Sequence, residues 1–366
     1  MNQSLLTRRR PKLSDTYEWR YKVGEGTYGV VGKAVHRVDQ HTLVAVKEFK
    51  TTKASEGISH SAVREIALLK ELDHENLVAL RDVYVDPEGC SMRLVYEYAE
   101  YELSSIIKHH KQHNQALSLL TRKSILYQML NGLHYLHSNW VMHRDLKPSN
   151  ILVMGDVRNE LGVVKIADFG MARIYRSPLR KLLDNGMVVT IWYRAPELLL
   201  GAQHYTTAID IWAVGCILGE LITCVPLFQG GIVDDVKVFP EDQVDKIWKA
   251  LGALRPSRWP DVVHLSWWQK VADRDDPPAL NTLFGSKYNA QEPMYDLLLR
   301  MLDYNPVQRI SARDALQHRL FRDPPAPCRN VFGHGARVPY ADRREYRSHP
   351  QQHQRGGGGG GGGAAG

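Results

Sequence analysis

His143-Arg144-Asp145-Leu146-Lys147-Pro148-Ser149-Asn150 leads into the apolar run Ile151-Leu152-Val153, and a second short run, Val163-Val164-Lys165-Ile166-Ala167, ends in Asp168-Phe169-Gly170. The spacing predicts two short neighbouring strands with a turn at the end of each. One acid, one cation, one amide and a second acid then meet where phosphates and magnesium can be held together. A loose phosphoryl-transfer transition state needs alignment and charge neutralisation more than covalent help. Asp145 suits the orientation of an attacking hydroxyl and late acceptance of its proton. Asp168 and Asn150 offer hard oxygen ligands for Mg²⁺, and Lys147 can reach the transferred phosphate. A His-Arg-Asp tripeptide alone could be a chance surface turn; eight residues in this order, a strand and then Asp-Phe-Gly leave little room for that reading.

Working toward the N-terminus, Gly24-Glu25-Gly26-Thr27-Tyr28-Gly29 lies between two β-rich runs. Glycines there let backbone N–H groups approach phosphates, and Val31 can cover a base. A dinucleotide fold would place the same spacing at the start of a helix, so the strand context argues for a phosphate flap. Val44-Ala45-Val46-Lys47 alternates as a strand, with Lys47 on the face opposite Val46. A helix is predicted over Ser61 to Leu72, carrying Glu65. Lys47 and Glu65 fit the order of a phosphate-gripping lysine and its carboxylate partner. In Arg93 to Ala99 the backbone of Glu97 and Ala99 is suited to bond an adenine edge, with Tyr96 bulky behind it. Helical periods dominate from Leu103, including Lys123 to His137. The fold class is therefore α+β: a β-rich small lobe, a mainly helical large lobe and ATP between them.

Composition agrees with an ordinary soluble enzyme, at 43% hydrophobic and 24% charged over 366 residues. The net charge of +7 is concentrated at the ends: Arg8, Arg9, Arg10 and Lys12 at one, seven arginines against three acids in 322–366 at the other. The body between is close to neutral, so no direct nucleic-acid binding is expected of it. No membrane segment is expected, and four dispersed cysteines suggest a reducing compartment. Residues 8–12 fit either a nuclear address or a solvated arm.

These residues resemble the eukaryotic protein kinases from about Tyr17 to Phe321. Ala195-Pro196-Glu197, Asp210-Ile211-Trp212 and Arg309 extend the match, and the resemblance implies an Arg309–Glu197 pair. Ser59 to Glu65 resembles the cyclin-binding helix of cyclin-dependent kinases. Tyr98 to Leu103, the insertion Gly155 to Gly162, Ser177-Pro178-Leu179 and Trp192 to Tyr205 resemble the Mediator-associated, cyclin-C-dependent members, particularly the plant E-type. Animal members carry Met where this chain has Phe169, and His60 stands where an apolar residue is usual.

Composition marks a basic arm at 1–16 and, at 322–366, a Pro-, Arg-, Gln- and Gly-rich tail that cannot bury enough surface to fold alone and is expected to be disordered; between them the resemblance implies an N-lobe at 17–98 and a C-lobe at 99–321. Catalytic roles fall on Asp145, Lys147 and Lys47, metal binding on Asn150 and Asp168. ATP contacts fall on Gly24, Glu25, Gly26, Thr27, Tyr28, Gly29, Val31, Ala45, Lys47, Glu65, Glu97, Ala99, Asn150 and Asp168. The implied activity is proline-directed serine/threonine phosphorylation with ATP and Mg²⁺, in the nucleus, with a C-type cyclin and Mediator kinase-module subunits as partners. The RNA polymerase II C-terminal domain is the implied substrate. Val189, Thr190 and Arg194 match the pocket for the residue after the acceptor; proline, lacking an N–H, suits it. A mitogen-activated-type kinase is the enzymatic rival, but its Thr-x-Tyr pair is missing. A scaffold without catalysis is the rival from another class, and it predicts loss of Lys47, Asp145 or Asp168.

The activation segment is unusual. Arg64, Arg144 and Arg173 match a phosphate-binding cluster, yet the expected phosphorylatable Thr is replaced by Asp184-Asn185-Gly186. Three guanidiniums ~5 Å apart repel by roughly 3 kcal/mol per pair at an effective dielectric of ~20, so an anion is needed among them. Asp184 or a partner's carboxylate is expected to supply it; phosphorylation at Thr190 is the alternative. Thr27 and Tyr28 match inhibitory phosphorylation sites, or are plain flap residues.

Overall fold

The computed structural model describes residues 12–26, 29–49, 60–86, 91–156, 159–175, 191–231, 238–284, 291–333, 338–340 and 343. A short helix α1 (Leu13–Thr16) precedes five strands, β1 (Tyr17–Gly26), β2 (Gly29–His36), β3 (Leu43–Phe49), β4 (Leu80–Asp86) and β5 (Ser91–Glu97). They form one antiparallel sheet in the order β1-β2-β3-β5-β4. Period-two alternation divides its faces. Val44, Val46 and Val95 pack outward with Tyr17 and Ala34, whereas Ala45, Leu94 and Tyr96 join the main core on the cleft side. Lys47 shares the face of Ala45 and pairs in register with Val31 on one side and Leu94 on the other. A Cβ on Gly29 would sit 1.9 Å from the Glu48 carbonyl oxygen, so the β2–β3 register itself demands glycine there.

Helix α2 (His60–Glu71) crosses the cleft side of this sheet, with Ala62, Leu68 and Leu69 buried beneath it. The large lobe is built around α4 (Leu119–Ser138), which follows α3 (Leu103–Gln112) and is capped by the Ser118 hydroxyl accepting from Thr121 N at 3.0 Å. After α4 come β7 (Val141–Met142), β8 (Ile151–Val153), β9 (Val164–Ile166) and β10 (Arg173–Ile174). β8 pairs with β9 and with the two-residue β6 (Tyr101–Glu102), and β10 pairs with β7. The helix Ala208–Thr223 is buried almost throughout. Trp248, Trp259 and Trp268 belong to the core around it, and Trp267 is half-buried against Phe239. This is the α+β two-lobed architecture that the alternation and the helical periods predict.

Both ends of the expected organisation need correction. The N-terminal arm does not extend through residue 16: Arg37 donates to the Ser14 carbonyl at 2.7 Å, and Arg37 N to Thr16 O at 2.8 Å. The tail expected from 322 onward is laid along α4 for its first part. Lys123 donates to the Asp323 carbonyl, Gln128 to the carbonyls of Cys328 and Arg329, and Cys328 N to the Ser124 hydroxyl. Val331 is fully buried. A polar stretch that cannot fold alone can still be ordered by buried side chains on another element that need partners.

Candidate active site

The turn beginning at His143 is held from below by one buried carboxylate. Asp210 accepts from His143 N at 2.9 Å, from Arg144 N at 2.8 Å and meets His137 Nε2 at 3.0 Å. Burial raises its pKa, but the His137 contact and the loop N–H groups prevail, and the group stays below the usual carboxylate range. Two residues of the site adopt backbone angles that side chains rarely tolerate: Arg144 at φ 72° and Asp168 at φ 65°. Such strain persists where surrounding contacts fix it. Here they include His143 Nε2 against Ala167 O at 3.0 Å and the edge of His143 on Phe169 at 5.2 Å.

Above that turn, the Lys47 ammonium lies 2.9 Å from Glu65 Oε2 and 2.9 Å from Asp168 Oδ1. Burial would depress the lysine; the two carboxylates more than offset this and raise its pKa. Burial likewise pushes Asp168 up, and the Lys47 ammonium beside it pulls it below its ordinary value. Both groups are charged at neutral pH. The second oxygen of Glu65 accepts from the Tyr96 hydroxyl at 2.6 Å, so a carboxylate only 1% exposed has a donor on each oxygen.

Lys147 Nζ is 2.8 Å from Asp145 Oδ2, and Asn150 Nδ2 donates to Asp145 O at 2.7 Å and to Oδ2 at 3.0 Å. Ala167 N donates to Asn150 O at 2.9 Å, which ties the catalytic turn to the turn of Asp168. Asn150 spends its N–H groups on Asp145, and its side-chain oxygen accepts no hydrogen bond among the described residues. That oxygen and the partly open Asp168 carboxylate are hard donors of the kind a magnesium ion takes, so the residues present fit such an ion.

Lys47, Asn150 and Asp168 line one interlobe cavity of about 160 Å³ together with Val31, Ala45 and Ala99; Glu65 and Glu97 also reach it. Asp145 does not. It lines a smaller cavity with Arg194 and is tied to the first through its bonds to Asn150. Gly24, Glu25, Gly26 and Gly29 form the β1–β2 hairpin, with Gly26 opposite Gly29. Thr27, Tyr28, Val189, Thr190 and Asp184 lie outside the described residues. Arg64 and Arg144 donate to the carbonyls of Gly170 and Met171 at 3.2 and 3.3 Å, so two of the three clustered arginines grip the turn after Asp168. The third, Arg173, has a buried Nε with no hydrogen-bond partner among the described residues.

Several participants were not legible in sequence: the Tyr96 hydroxyl on Glu65, Asp210 under the loop and the Glu97 side chain. The last turns away from the cavity to accept from Ala79 N at 2.8 Å and Lys165 Nζ at 2.9 Å, leaving its backbone at the cavity wall. The bidentate Arg309–Glu197 pair, at 2.8 and 2.9 Å, is fully buried below the site. The resemblance implied that pair through Ala-Pro-Glu, and it marked Asp210 through Asp210-Ile211-Trp212 without saying what the carboxylate holds.

The protein kinase domain family matches residues 17–321. Cyclin-dependent kinase E-1 of Arabidopsis thaliana is 50% identical over 338 residues, covering 90% of this chain and 71% of that protein. Probable cyclin-dependent kinase 8 of Dictyostelium discoideum is 49% identical over 337 residues, 91% of this chain and 87% of its own length. Cyclin-dependent kinase 8 of Drosophila melanogaster is 41% identical over 351 residues, 91% and 76% respectively. A protein kinase domain uses ATP and a divalent metal, and a cyclin-dependent kinase has a cyclin partner. With the bilobal fold and this breadth of identity, the chain belongs to the protein kinase family, as a cyclin-dependent serine/threonine kinase of the type-8 and E-type kind.

Proposed function

We propose that this kinase transfers the γ-phosphoryl group of ATP to Ser or Thr followed by Pro on transcription-related proteins, foremost the RNA polymerase II C-terminal domain. It acts in the nucleus, with a C-type cyclin, inside a Mediator kinase module. The observation that carries the catalytic part is the continuous chain of contacts from Tyr96 through Glu65 and Lys47 to Asp168, beside the Asp145–Asn150–Lys147 cluster. In this reading Lys47 grips the nonreacting phosphates and the backbone of Glu97 and Ala99 holds the adenine. Asp145 orients the acceptor hydroxyl and takes its proton, while Lys147 neutralises the moving phosphoryl oxygens. Mg²⁺, held by Asp168 and Asn150, supplies charge neutralisation of the phosphate oxygens.

An anion from Asp184 or a partner subunit completes the arginine cluster, and the buried Arg173 Nε supports the need for one. Val189, Thr190 and Arg194 form the pocket that prefers proline after the acceptor.

The test uses purified kinase–cyclin C complex and a polymerase-tail peptide, with Asp145→Asn as control. Robust phosphorylation by the wild type alone is expected, with a strong penalty when Pro after the acceptor is replaced. Equal signals from both proteins would sustain the scaffold reading, and no penalty for losing Pro would remove the proline-directed part. Activity surviving phosphatase treatment is expected of an anion built into the polypeptide; its disappearance would favour phosphorylated Thr190.

A further inference from the structure

The end of α3 carries three histidines, His109, His110 and His113, that the catalytic site does not use. Backbone bonds fix this end: His113 N donates to His109 O at 3.1 Å, Asn114 N to Lys111 O at 3.2 Å and Gln115 N to His110 O at 3.0 Å. A helix brings positions i and i+4 onto one face. His109 and His113 accordingly lie ring against ring, their centroids 4.2 Å apart and their planes inclined by 32°. Lys111 falls on the opposite side of the helix and Lys108 about 100° round it, so neither is carried on the face the two rings share.

Hydrogen bonds decide which nitrogen of each ring is bare. A carbonyl oxygen only accepts, so a ring nitrogen facing one carries the proton. His113 Nδ1 lies 2.8 Å from His109 O, which leaves Nε2 of the neutral ring with its lone pair. His110 Nδ1 is held in the same way by Gln115 O at 3.1 Å, but its Nε2 is engaged by the Tyr340 hydroxyl at 2.8 Å. The His109 ring makes no hydrogen bond among the described residues, and the ring of Tyr340 meets it edge-on at 5.2 Å. One imidazole is thus pre-set by a backbone carbonyl, the outer contact usual for metal-binding histidines, and its neighbour is open to turn toward the same point.

Ring spacing selects among ions. With metal–nitrogen bonds of about 2.1 Å a ring centroid stands ~3.2 Å from the ion, so two imidazoles at a right angle have centroids ~4.5 Å apart and two at the tetrahedral angle ~5.2 Å apart. The observed 4.2 Å is nearer the right angle. We infer that His109 and His113 form a binding site for a divalent transition-metal ion of tetragonal preference, Cu²⁺ foremost, held by one ring nitrogen of His109 and by Nε2 of His113. Affinities of nitrogen ligands along the first-row divalent ions peak at Cu²⁺, and the carbonyl end of a helix favours a cation. No third His, Cys, Asp or Glu completes a three-ligand set among the described residues, so water takes the other positions. A bound ion cross-links the last turn of α3 to its capping residue.

The experiment uses the full chain with its cyclin, stripped of metal by a chelator and kept at about pH 7.5, because imidazole binds metal in its neutral form. Cu²⁺ is titrated by calorimetry into wild type, His109→Ala, His113→Ala and His110→Ala, and samples loaded with about half an equivalent are examined by electron paramagnetic resonance. The tightest step of the wild type should weaken at least about tenfold in His109→Ala and in His113→Ala, and stay within about twofold in His110→Ala. The wild-type spectrum should show a tetragonal ion coupled to two ring nitrogens. Cu²⁺ should raise the thermal midpoint of the wild type and leave that of the two ligand variants unmoved. His113→Asn, whose amide can still cap the His109 carbonyl, should weaken Cu²⁺ as His113→Ala does; wild-type binding in that variant would make His113 a cap and overturn the proposal. So would unchanged uptake in both alanine variants, which would send the ion to other histidines, or a spectrum with fewer than two ring nitrogens. Equal weakening in His110→Ala would refute the assigned pair as well.

Discussion

Replacing Tyr96 with Phe removes one oxygen and leaves the packing of the ring untouched, so the consequence falls on Glu65. That carboxylate is 1% exposed, and its two oxygens are divided between Lys47 at 2.9 Å and the Tyr96 hydroxyl at 2.6 Å. Without the hydroxyl, Oε1 stays buried with no replacement donor from the phenyl ring. A hydrogen bond to a charged group contributes about 1.5–3 kcal/mol, which corresponds to roughly a ten- to hundredfold shift in any equilibrium that requires Glu65 inward. That equilibrium governs the position of α2, the helix that resembles a cyclin-binding element, so the variant should bind cyclin more weakly by up to the same factor. The assay is peptide phosphorylation across a cyclin titration. At limiting cyclin, kcat/KM should fall roughly ten- to hundredfold; at saturating cyclin most of it should return, because the partner supplies the missing bias. Burial, then the Glu65 charge, drives the Tyr96 pKa well above 10.0, so the hydroxyl remains a donor at every working pH. Equal cyclin affinity and equal kcat/KM in the variant would refute the view that this bond positions the Lys47–Glu65 pair.

Asp145→Asn should lower kcat by roughly 10²–10⁴ while calorimetric ADP binding is retained, since the substitution keeps the shape of the side chain and Lys47, Asn150 and Asp168, the residues of the nucleotide cavity, are left in place. Glu197→Ala leaves Arg309 buried without its bidentate partner, a cost of about 3–5 kcal/mol, and should lower the thermal midpoint by roughly 6–15 °C in calorimetry. Asp210 has a folded pKa depressed below its reference of 3.8, so its contribution to stability is present above that pH and is lost as pH falls through the folded value. The midpoint gap between wild type and Asp210→Asn should therefore be constant above roughly pH 5 and narrow in acid; a gap that widened in acid would contradict the assignment.

What could be read in advance is what the chain encodes contiguously. His143 to Asn150 and Asp168 to Gly170 are short runs in which chemistry demands several residue types in fixed order, and alternation in Val44 to Lys47 fixed which face the lysine takes. Even the Lys47–Glu65 partnership, 18 positions apart, was accessible because strand and helix each carried their own period. Other features had no such local trace. Tyr96 reads as one more bulky strand residue until the sheet and α2 set its hydroxyl on Glu65. Asp210 reads as the polar start of a buried helix until the loop beginning at His143 folds over it. Composition does not foresee the ordered part of the tail because low hydrophobicity describes what a segment can bury by itself, whereas Lys123, Ser124 and Gln128 on α4 supply partners that hold part of it in place.

Sequence alone determined the class of chemistry, because phosphoryl transfer needs a small set of charged and amide groups whose order survives in the primary structure. Tertiary structure alone decided which donors satisfy each buried charge and which distant residues come to line one cavity. Those choices depend on distances between groups as many as 245 positions apart, and no local pattern encodes them.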